Sequence, residues 1–575
     1  MFYNINGLSL KINEKGFAIL SDGDCFFDVP VGTSVCEGDT DINVRNLDIK
    51  DRDGEIVAEW ECQSSLWNKK VYTLRLTDDG VLYTVTVEGK GKVGYTEFFN
   101  GANTNEDSNF GVDFDTKGYW NPQIQSVGAK NKYYEMFESS AVGVNTFSPS
   151  ITCFAFDMQE NENIVGIGAA PQMGNYNFRD FDYNFKGKYF TLAIDFADCI
   201  DVDGEYILPG ILFVRGDDNY SVYKNYRDWL IKYFGYPVYE VNPPRWWHGP
   251  IFCGWGDQWA LSDTKDLDWG EEFLDANIDV NEKRARRDVA VSTCAKCAAN
   301  EKNYRLMTDE LEKKNIDYTA VIIDDKWETQ YGTFNPAPSQ WPDLRAYTDD
   351  MHKKGKKVLL WMNTWDCEGV DEDMCITLDG KKISVDPTNP KYVEHLENCL
   401  RRVLSDEEGC YNADGFKVDF ANGVVHRRGA RIYEKNVSGI ELSRRHFENI
   451  YKISKSIKPD AIITHSNVHP YFADIIDVVR LHDYFPRSNS SLENMATRAS
   501  VARCAFGDNV LIDTDAPGGF RRRDTLVAVK HQSEYGIPSL YGVLALYDFF
   551  DDEDWAEISR IYRKYSKKKD EEYGI

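Results

Sequence analysis

The chain has 575 residues, of which 42% are hydrophobic, enough to bury the cores of two large domains. Its formal net charge of -28 argues against binding to nucleic acid, because a polyanion is bound by surplus lysine and arginine. No stretch approaches the roughly 20 apolar residues of a membrane span, and the amino terminus lacks the basic and apolar regions of a signal peptide, so we expect a cytoplasmic protein without membrane contact.

The first predicted region is rich in strand signals and poor in helical ones. The runs Val71–Leu76 and Val81–Val87 flank an Asp-Gly pair, which is typical of a β-hairpin. The runs Tyr189–Phe196 and Tyr206–Val214 continue the same pattern. We therefore predict an N-terminal antiparallel β-sandwich domain over residues 1–235.

A connection between two domains is predicted at residues 236–249. It contains Pro243-Pro244 and Trp246-Trp247, and its aromatic side chains indicate packing against a domain instead of a loose tether. The second domain is predicted to span residues 250–575.

The second domain alternates predicted strands with predicted helices. Stretches of helical spacing, such as Tyr304, Met307 and Leu311, separate short apolar runs. The predicted strands lie at residues 251–255, 318–323, 357–361, 415–420, 461–465, 478–483, 509–513 and 538–541. Eight such units predict a (β/α)8 TIM barrel, which is an α/β fold. A doubly wound sheet is the competing fold, but residues 253–257 do not form its phosphate-binding turn.

The last segment of the chain is short. Trp555–Tyr565 predicts a final helix, and the lysines and acids that follow predict a solvated tail. We expect no further domain after the barrel, which would leave barrel surface for a second subunit to cover, so a homo-oligomer is an open alternative. The 13 cysteines show no framework, and we expect reduced thiols without disulfides.

Polar residues of the second domain concentrate where the predicted strands end. The fourth strand presents Lys417 and Asp419 two positions apart, so their side chains share one face. A structural ion pair is the simpler interpretation of these two residues. Asp324 and Asp325 follow the second strand. Because a TIM barrel carries its active site at the carboxyl ends of its strands, this placement favours a functional site.

Five tryptophans fall at or near the predicted strand ends, namely Trp255, Trp259, Trp327, Trp361 and Trp365, and we predict Trp255, Trp327 and Trp361 in the substrate site. Flat indole faces pack against sugar rings, while carboxylates and lysine hydrogen-bond to hydroxyl groups. Filling the top of the barrel is the alternative role, which we expect for some of them. The combination predicts an oligosaccharide or glycoside as the ligand.

These residues carry a resemblance to a known family. The Lys-x-Asp motif at Lys417, the Asp-Asp-x-Trp motif at Asp324 and the order of sandwich and barrel resemble the retaining α-glycosidases of clan D, most of all the α-galactosidases of the melibiase group. The resemblance implies that Asp419 is the catalytic nucleophile and that Lys417 contacts the substrate. It also implies that Asp324 and Asp325 bind sugar hydroxyls.

A retaining glycosidase needs a second carboxyl group, about 5 to 5.5 Å from the nucleophile, as acid and base. The resembling family places this group at the end of strand six, where this chain has Asp483. Asp477 precedes that strand and ranks lower, and Asp513 and Asp515 on strand seven are reserve candidates. We expect the charge of Lys417 to help keep the nucleophile ionised.

The chain departs from the melibiase pattern near the predicted pocket. Lys326 stands where those sequences usually carry glycine, and His465 lies in a replaced segment after strand five. Arg480 and His482 flank the acid/base position. We predict that His465, Arg480 and His482 line the substrate site, although a structural role is an equal alternative for a buried arginine. Lys326 and His465 together suggest recognition of an acidic substituent on the sugar.

The sequence therefore predicts a retaining glycoside hydrolase that cleaves terminal α-linked sugars, with α-galactosides as substrates, through a covalent glycosyl-aspartate intermediate. We expect neither a metal nor an organic cofactor. An α-glucosidase, an α-xylosidase, a transglycosidase and a glycosidase for a modified acidic sugar are the alternatives. A non-catalytic carbohydrate-binding protein is a further one. A metal-dependent barrel hydrolase is disfavoured because the first strand carries no His-x-His.

Overall fold

The computed structural model describes residues 1–21, 24–52, 55–100, 112–114, 152–157, 164–186, 189–261, 295–481, 491–515 and 522–575. Among these residues, no helix has both the length and the apolar character needed to cross a bilayer.

In its described residues, the N-terminal region is a sheet of 15 strands joined in antiparallel pairs. The strands are β1 Phe2–Ile5, β2 Leu8–Asn13, β3 Gly16–Ser21, β4 Asp24–Pro30, β5 Thr33–Ser34, β6 Asp41–Arg52, β7 Glu55–Ser64, β8 Lys69–Thr77, β9 Gly80–Phe98, β10 Val112–Phe114, β11 Cys153–Asp157, β12 Ile164–Ala170, β13 Phe181–Lys186, β14 Tyr189–Ile207 and β15 Gly210–Gly216. The predicted hairpin joins β8 to β9, with Thr77 paired to Gly80.

Strands that are distant in this sheet meet through their side chains. Phe17 of β3 packs edge-on against Phe213 of β15 with ring centroids 5.4 Å apart. Phe27 of β4 packs in the same way against Phe156 of β11, also at 5.4 Å. The sheet therefore folds over one apolar core, as an antiparallel sandwich requires.

A helix and a packed connection lead from the sheet to the second region. Helix α1, Asn219–Phe234, ends at Gly235, whose φ of 66° is the left-handed conformation that glycine adopts most readily. A short 3-10 helix follows at Arg245–His248. Its Trp247 donates a hydrogen bond from Nε1 to the carbonyl oxygen of Asp460 at 2.9 Å, so the connection lies against the following domain.

The second region is a parallel eight-stranded barrel, in agreement with the prediction. Barrel strands one to eight are β16 Ile251–Cys253, β17 Ala320–Ile323, β18 Lys357–Asn363, β21 Gly415–Asp419, β22 Ile462–His465, β23 Val478–Arg480, β24 Ile512–Asp513 and β25 Ser539–Leu540. Neighbours in the chain pair with each other, and strand eight pairs with strand one. A single bridge from Asp513 to Ile537 links the last two strands, so the barrel is nearly closed.

Helices surround the barrel strands. They are α2 Trp255–Leu261, α3 Glu301–Lys313, α4 Leu344–Lys353, α5 Pro390–Leu404, α6 Gly439–Ile457, α7 Ser491–Phe506, α8 Arg522–Tyr535 and α9 Asp552–Tyr573. Helix α9 corrects one expectation, because the charged tail continues the final helix to Tyr573. Its spacing of charges at i and i+4, such as Lys567 with Glu571, supports a helix.

An insert separates barrel strand three from helix α5. This strand-three insert, residues 364–389, contains the antiparallel hairpin β19 Cys375–Leu378 and β20 Lys381–Val385. Short 3-10 helices occur at Glu372–Met374, Ala421–Gly423 and Pro470–Phe472.

The seam between strands one and eight is fastened by a buried carboxylate. Asp257 accepts hydrogen bonds from the backbone N–H groups of Val543, Leu544, Ala545 and Leu546, at 2.7 to 3.2 Å. Asp257 and these four residues lie 286 or more positions apart in the chain. This contact fixes the loop after strand eight over the mouth of the barrel.

Candidate active site

Asp419 is the last residue of barrel strand four, at the carboxyl end of the barrel. Its Oδ1 accepts hydrogen bonds from Arg480 Nη2 at 2.5 Å and from the backbone N–H of Phe420 at 2.9 Å. Its Oδ2 accepts a hydrogen bond from Trp361 Nε1 at 3.1 Å. The side chain keeps 18% exposure, so an oriented carboxylate faces the barrel mouth.

Lys417 points into the barrel, but its nearest acidic partner is Asp324. Lys417 Nζ donates to Asp324 Oδ2 at 2.8 Å, and both side chains are 3% exposed. Burial alone would lower the pKa of Lys417, but the charge of Asp324 raises that pKa well above its ordinary value. The charge of Asp419 acts in the same direction. The ammonium group therefore stays protonated between strands two and four.

The paired aspartates of strand two occupy different environments. Asp324 also accepts hydrogen bonds from Cys253 Sγ at 3.1 Å and from the backbone N–H of Asp325 at 2.9 Å. Asp325 accepts a hydrogen bond from Tyr331 Oη at 2.8 Å and lies 3.6 Å from Lys296 Nζ. Burial raises the pKa of Asp325 to about 6, although Lys296 and Tyr331 oppose the rise.

The three predicted tryptophans have different positions relative to Asp419. Trp361 bonds to the carboxylate of Asp419, as described above. Trp327 is fully buried, and its Nε1 donates to the carbonyl oxygen of Trp361 at 2.8 Å, so it supports the wall behind the site. Trp255 begins helix α2 and is half-buried against apolar side chains of the barrel interior.

Arg480 connects the strand-four carboxylate to strand seven. It is 1% exposed, and its Nη1 donates to Asp515 Oδ2 at 2.8 Å while Nη2 binds Asp419. Asp513 lies beside this group, and burial together with the charge of Asp515 raises the pKa of Asp513 to about 6. Both reserve acids are therefore fully buried side chains of the barrel interior.

His465 occupies a packed position. Its ring lies 4.5 Å from the ring of Phe447, Nε2 contacts the carbonyl oxygen of Ile475 at 3.2 Å, and Nδ1 accepts from the backbone N–H of Asn467. Burial lowers the pKa of His465 to about 3, so the ring is neutral. The prediction of a sugar-reading histidine is corrected to a packing role, because backbone groups occupy both ring nitrogens.

Two predicted site residues lie outside the described residues, namely His482 and Asp483. Asp477, which ranked below Asp483, lies at the opposite end of the strands. It accepts hydrogen bonds from the backbone N–H of Ile463 at 2.7 Å and from Tyr451 Oη at 3.1 Å. The assignment of Asp483 as acid and base stays a prediction.

Sequence reasoning identified Lys326 but not Tyr331 and Lys296, which lie beside it. Lys326 Nζ lies 4.1 Å from the centroid of the Tyr331 ring, and Lys296 Nζ lies 5.3 Å from the same centroid. Lys326 also pairs with Glu368 at 2.6 Å. Tyr331 follows strand two within an irregular loop, where no periodicity in the sequence marks it. This cluster borders Trp361, whose ring centroid is 5.8 Å from that of Tyr331.

No group of three or more His, Cys, Asp or Glu side chains among the described residues has the arrangement of a metal site. The described part of the candidate site therefore offers carboxylates, a guanidinium group, ammonium groups and indoles for binding and catalysis.

Comparisons with known proteins agree with this architecture. Residues 288–473 match the Glycosyl hydrolases family 31 TIM-barrel domain. A family 31 sulfoquinovosidase from E. rectale superposes with a TM-score of 0.56 at 11% identity, over 97% of this chain and 82% of that chain. An α-galactosidase from Thermus thermophilus superposes with a TM-score of 0.48 at 11% identity, over 98% of each chain. A comparison with curated protein sequences gives no match. Residues 288–473 are therefore similar to the barrel domain of these glycosyl hydrolases, and the fold is similar to that of the family 31 structure.

Proposed function

We infer that this chain, whose barrel matches that of glycosyl hydrolases family 31, is a retaining α-glycosidase that cleaves terminal α-linked sugars. The observation that carries the proposal is Asp419, an oriented and partly exposed carboxylate at the carboxyl end of strand four. α-Galactosides are the first substrates to test, because of the Lys-x-Asp and Asp-Asp-x-Trp motifs.

In the proposed reaction, Asp419 attacks the anomeric carbon and forms a glycosyl ester. Arg480 and Trp361 each hold one carboxylate oxygen, so the attacking group is fixed before the substrate arrives. The positive charge of Arg480 favours the ionised form that a nucleophile requires.

Asp483 is proposed to protonate the departing oxygen and then to accept a proton from the attacking water. Water displaces Asp419 from the sugar, and two inversions give net retention. The sequence position of Asp483 supports this role, and its test is described below.

Asp324 and Asp325 are proposed to accept hydrogen bonds from sugar hydroxyls. Lys417 fixes one oxygen of Asp324, while Tyr331 fixes one oxygen of Asp325. These contacts leave the remaining lone pairs of the two carboxylates for hydroxyl donors. The half-buried Trp255 is the aromatic candidate for contact with the ring of the sugar, whereas Trp361 is buried and orients Asp419.

A sugar with an anionic substituent is the second candidate substrate. The favouring observation is the pair of ammonium groups from Lys296 and Lys326 over the Tyr331 ring, beside Asp325. The Lys326→Ala variant tests this alternative. We expect a raised KM for an anionic glycoside only, and unchanged kinetics on the true substrate would eliminate it.

The decisive experiment compares wild type with Asp419→Asn on a panel of aryl α- and β-glycosides, including anionic sugars, with the product anomer followed by NMR. Hydrolysis of an α-glycoside with retention, abolished in the variant, supports the proposal. An inverted product would exclude it. α-Glucosidase and α-xylosidase activities appear as turnover of the corresponding panel members, and transfer appears as a glycosylated acceptor.

Asp483→Ala tests the acid role separately. A good leaving group needs little protonation, so this variant should keep more activity on activated aryl glycosides than on natural glycosides. Equal losses on both would remove Asp483 from that role. Sugar binding without turnover by the wild type would favour the non-catalytic alternative.

A further inference from the structure

Asp515 follows barrel strand seven and has no part in the reaction proposed above. Its side chain is fully buried, and its Oδ2 accepts a hydrogen bond from Arg480 Nη1 at 2.8 Å. Nη2 of the same guanidinium group donates to Asp419 Oδ1 at 2.5 Å. Arg480 therefore joins a buried carboxylate to the carboxylate that we propose as the nucleophile.

The backbone of Asp515 is held from both sides. Its N–H donates to Asp513 Oδ1 at 2.9 Å, and its carbonyl oxygen accepts a hydrogen bond from Gln532 Nε2 of helix α8 at 3.1 Å. Gln532 Oε1 in turn accepts a hydrogen bond from Tyr562 Oη of helix α9 at 2.8 Å. Two outer helices thus fix the position from which the Asp515 carboxylate reaches Arg480.

The conformation of Asp515 does not by itself require a carboxylate. Its φ of 57° is a left-handed conformation, which glycine adopts freely and which Asn and Asp tolerate better than most other residues. A buried ionised carboxylate is costly unless a positive charge faces it. Glycine or Asn would form the same turn without that cost.

We propose that Asp515 is a positioning residue that acts on Asp419 through Arg480, an inference that rests on the proposed glycosidase function. The bond from Nη1 to Asp515 orients the guanidinium group so that Nη2 meets Asp419. The negative charge of Asp515 also offsets part of the positive charge of Arg480. An unshared cation would hold the electron pairs of Asp419 more tightly and slow its attack on the anomeric carbon.

Other ionisable groups act on this ion pair from neighbouring strands. Those among the described residues are Lys417, His465, Asp513 and Tyr541. Lys417 stays protonated beside Asp324, and burial keeps the His465 ring and the Tyr541 hydroxyl neutral by lowering the pKa of His465 to about 3 and raising that of Tyr541. Asp513 titrates near neutral pH, because burial and the charge of Asp515 raise its pKa to about 6. A test of Asp515 must therefore separate the effect of Asp513.

The test compares the pKa of Asp419 in wild type and in Asp515→Asn. Asn fits the φ of this position and keeps an oxygen for Arg480 Nη1, but it carries no charge. A water-soluble carbodiimide and an amine label carboxyl groups in their protonated form. The labelled fraction of the Asp419 peptide is measured by mass spectrometry against pH and normalised to exposed carboxyl groups in the same digest. This readout requires no substrate.

We expect the midpoint of Asp419 labelling to move to lower pH by about one unit in Asp515→Asn, because Arg480 then acts on Asp419 alone. The same shift should occur when both chains also carry Asp513→Asn. An unchanged or raised midpoint would overturn the proposal. Asp515→Ser removes the same charge from a smaller side chain, and its midpoint decides the question if Asp515→Asn folds poorly.

Gln532→Met is the matched control. It removes the hydrogen bond to the carbonyl oxygen of Asp515 without changing any charge. This variant should melt at a lower temperature but keep the wild-type midpoint of Asp419. A shift as large as that of Asp515→Asn would show that loosening of the fold moves the midpoint, and the proposal would be wrong.

Kinetics on a glycoside that the wild type hydrolyses separate this inference from the proposed function. In Asp515→Asn, kcat should fall by up to about a hundredfold with little change in KM, as small misplacements of a reacting group do. The acid limb of kcat/KM should move to lower pH together with the labelling midpoint. Wild-type kinetics in Asp515→Asn, beside an inactive Asp419→Asn, would refute the positioning role alone. Full activity in Asp419→Asn would refute the proposed function and with it the role of Asp515 in catalysis.

Discussion

The two ends of barrel strand four each carry an aspartate, and the two carboxylates differ in their partners. Asp414, just before the strand, contacts His352 Nε2 at 2.7 Å, Lys357 Nζ at 3.0 Å and Lys458 Nζ at 3.1 Å. Asp419, five positions later, shares the guanidinium group of Arg480 with Asp515. At one end several basic groups contact one carboxylate, and at the other Arg480 bridges two carboxylates.

The pKa values of the acids at the two ends differ as well. Burial would raise the pKa of Asp414, but the hydrogen bond from His352 and the charges of Lys458 and Lys357 lower it to about 2. At the carboxyl end, the pKa values of Asp325 and Asp513 rise to about 6. The amino end of the strand, here called the lower end, therefore stabilises the fold, because its carboxylate is fully paired with basic groups. The carboxyl end, here called the upper end, keeps carboxyl groups whose proton affinity a ligand can change.

The largest expected effect is on catalysis at the upper end. Asp419→Asn should reduce kcat on an aryl glycoside by on the order of 10⁴-fold or more, as removal of a nucleophile does in other enzymes. The melting temperature should stay close to that of wild type, because Arg480 retains Asp515. Steady-state kinetics and thermal unfolding measure the two quantities. Residual activity within tenfold of wild type would contradict a catalytic role for Asp419, and with it the functional difference between Asp419 and Asp414.

The lower end should show the opposite pattern. Asp414→Asn should lower the free energy of unfolding by roughly 3 kcal/mol, because two ammonium groups lose a buried partner. Lys357 and Lys458 keep some exposure, which limits the loss. Urea unfolding measures this change. The kcat per folded molecule should be unchanged, and a hundredfold drop would show that the lower end also shapes the site.

The pH dependence of stability should have opposite signs at the two ends. The pKa of Asp325 is raised from 3.8 to about 6, so the folded state binds its proton more tightly than the unfolded chain. Stability should therefore fall by roughly 2 kcal/mol as the pH rises from about 4 to about 6. Asp325→Asn should remove this share of the slope in the free energy of unfolding across that range, while the share from Asp513 remains.

Asp414→Asn is the matched control for that measurement. The pKa of Asp414 is depressed from 3.8 to about 2, so its contribution is present above about pH 4 and is lost as the pH falls toward 2. Asp414→Asn should therefore change the pH dependence of stability only below about pH 4. Identical pH profiles for both variants would contradict the assigned pKa directions.

The smallest effect is expected at the rim. Lys326→Ala removes a partly exposed pair with Glu368, and pairs of this kind contribute about 0.2 to 1 kcal/mol. We expect the free energy of unfolding to fall by an amount within that range. For a neutral glycoside, KM should change by less than about threefold. Glu368→Gln, which breaks the same pair from the other side, is the control. A large loss of stability in either variant would show that this pair stabilises the fold in the way that the Asp414 group does.

The eight strands were predictable because strands of a parallel barrel are buried on both faces and appear as apolar runs. The position of Asp419 followed from the same runs, since polar residues come where the burial ends. The partners of these charges were not predictable. Alternation along one strand shows that Lys417 and Asp419 share a face, but strand tilt and stagger decide that Lys417 meets Asp324 while Arg480 meets Asp419.

His465 shows a second limit of the sequence. A polar residue at the end of a strand has the same pattern whether it faces the mouth or the surrounding helices, and only the packing of Phe447 against its ring reveals the difference. The helical extent of the charged tail was missed for a similar reason, although its exposure was predicted. Lysines and acids indicate exposure, but exposure does not distinguish a helix from an extended tail.

The Asp257 seam has a consequence for how the protein is made. Its hydrogen bonds to Val543 and the residues after it join segments separated by 286 positions. A ribosome must therefore release nearly the whole barrel before the mouth can be assembled, while the N-terminal sheet has long been available to fold. A nascent chain halted before residue 543 would carry strand four and Asp419 without the contact that fixes the loop over the barrel mouth. The proposed activity should thus appear only at the end of synthesis.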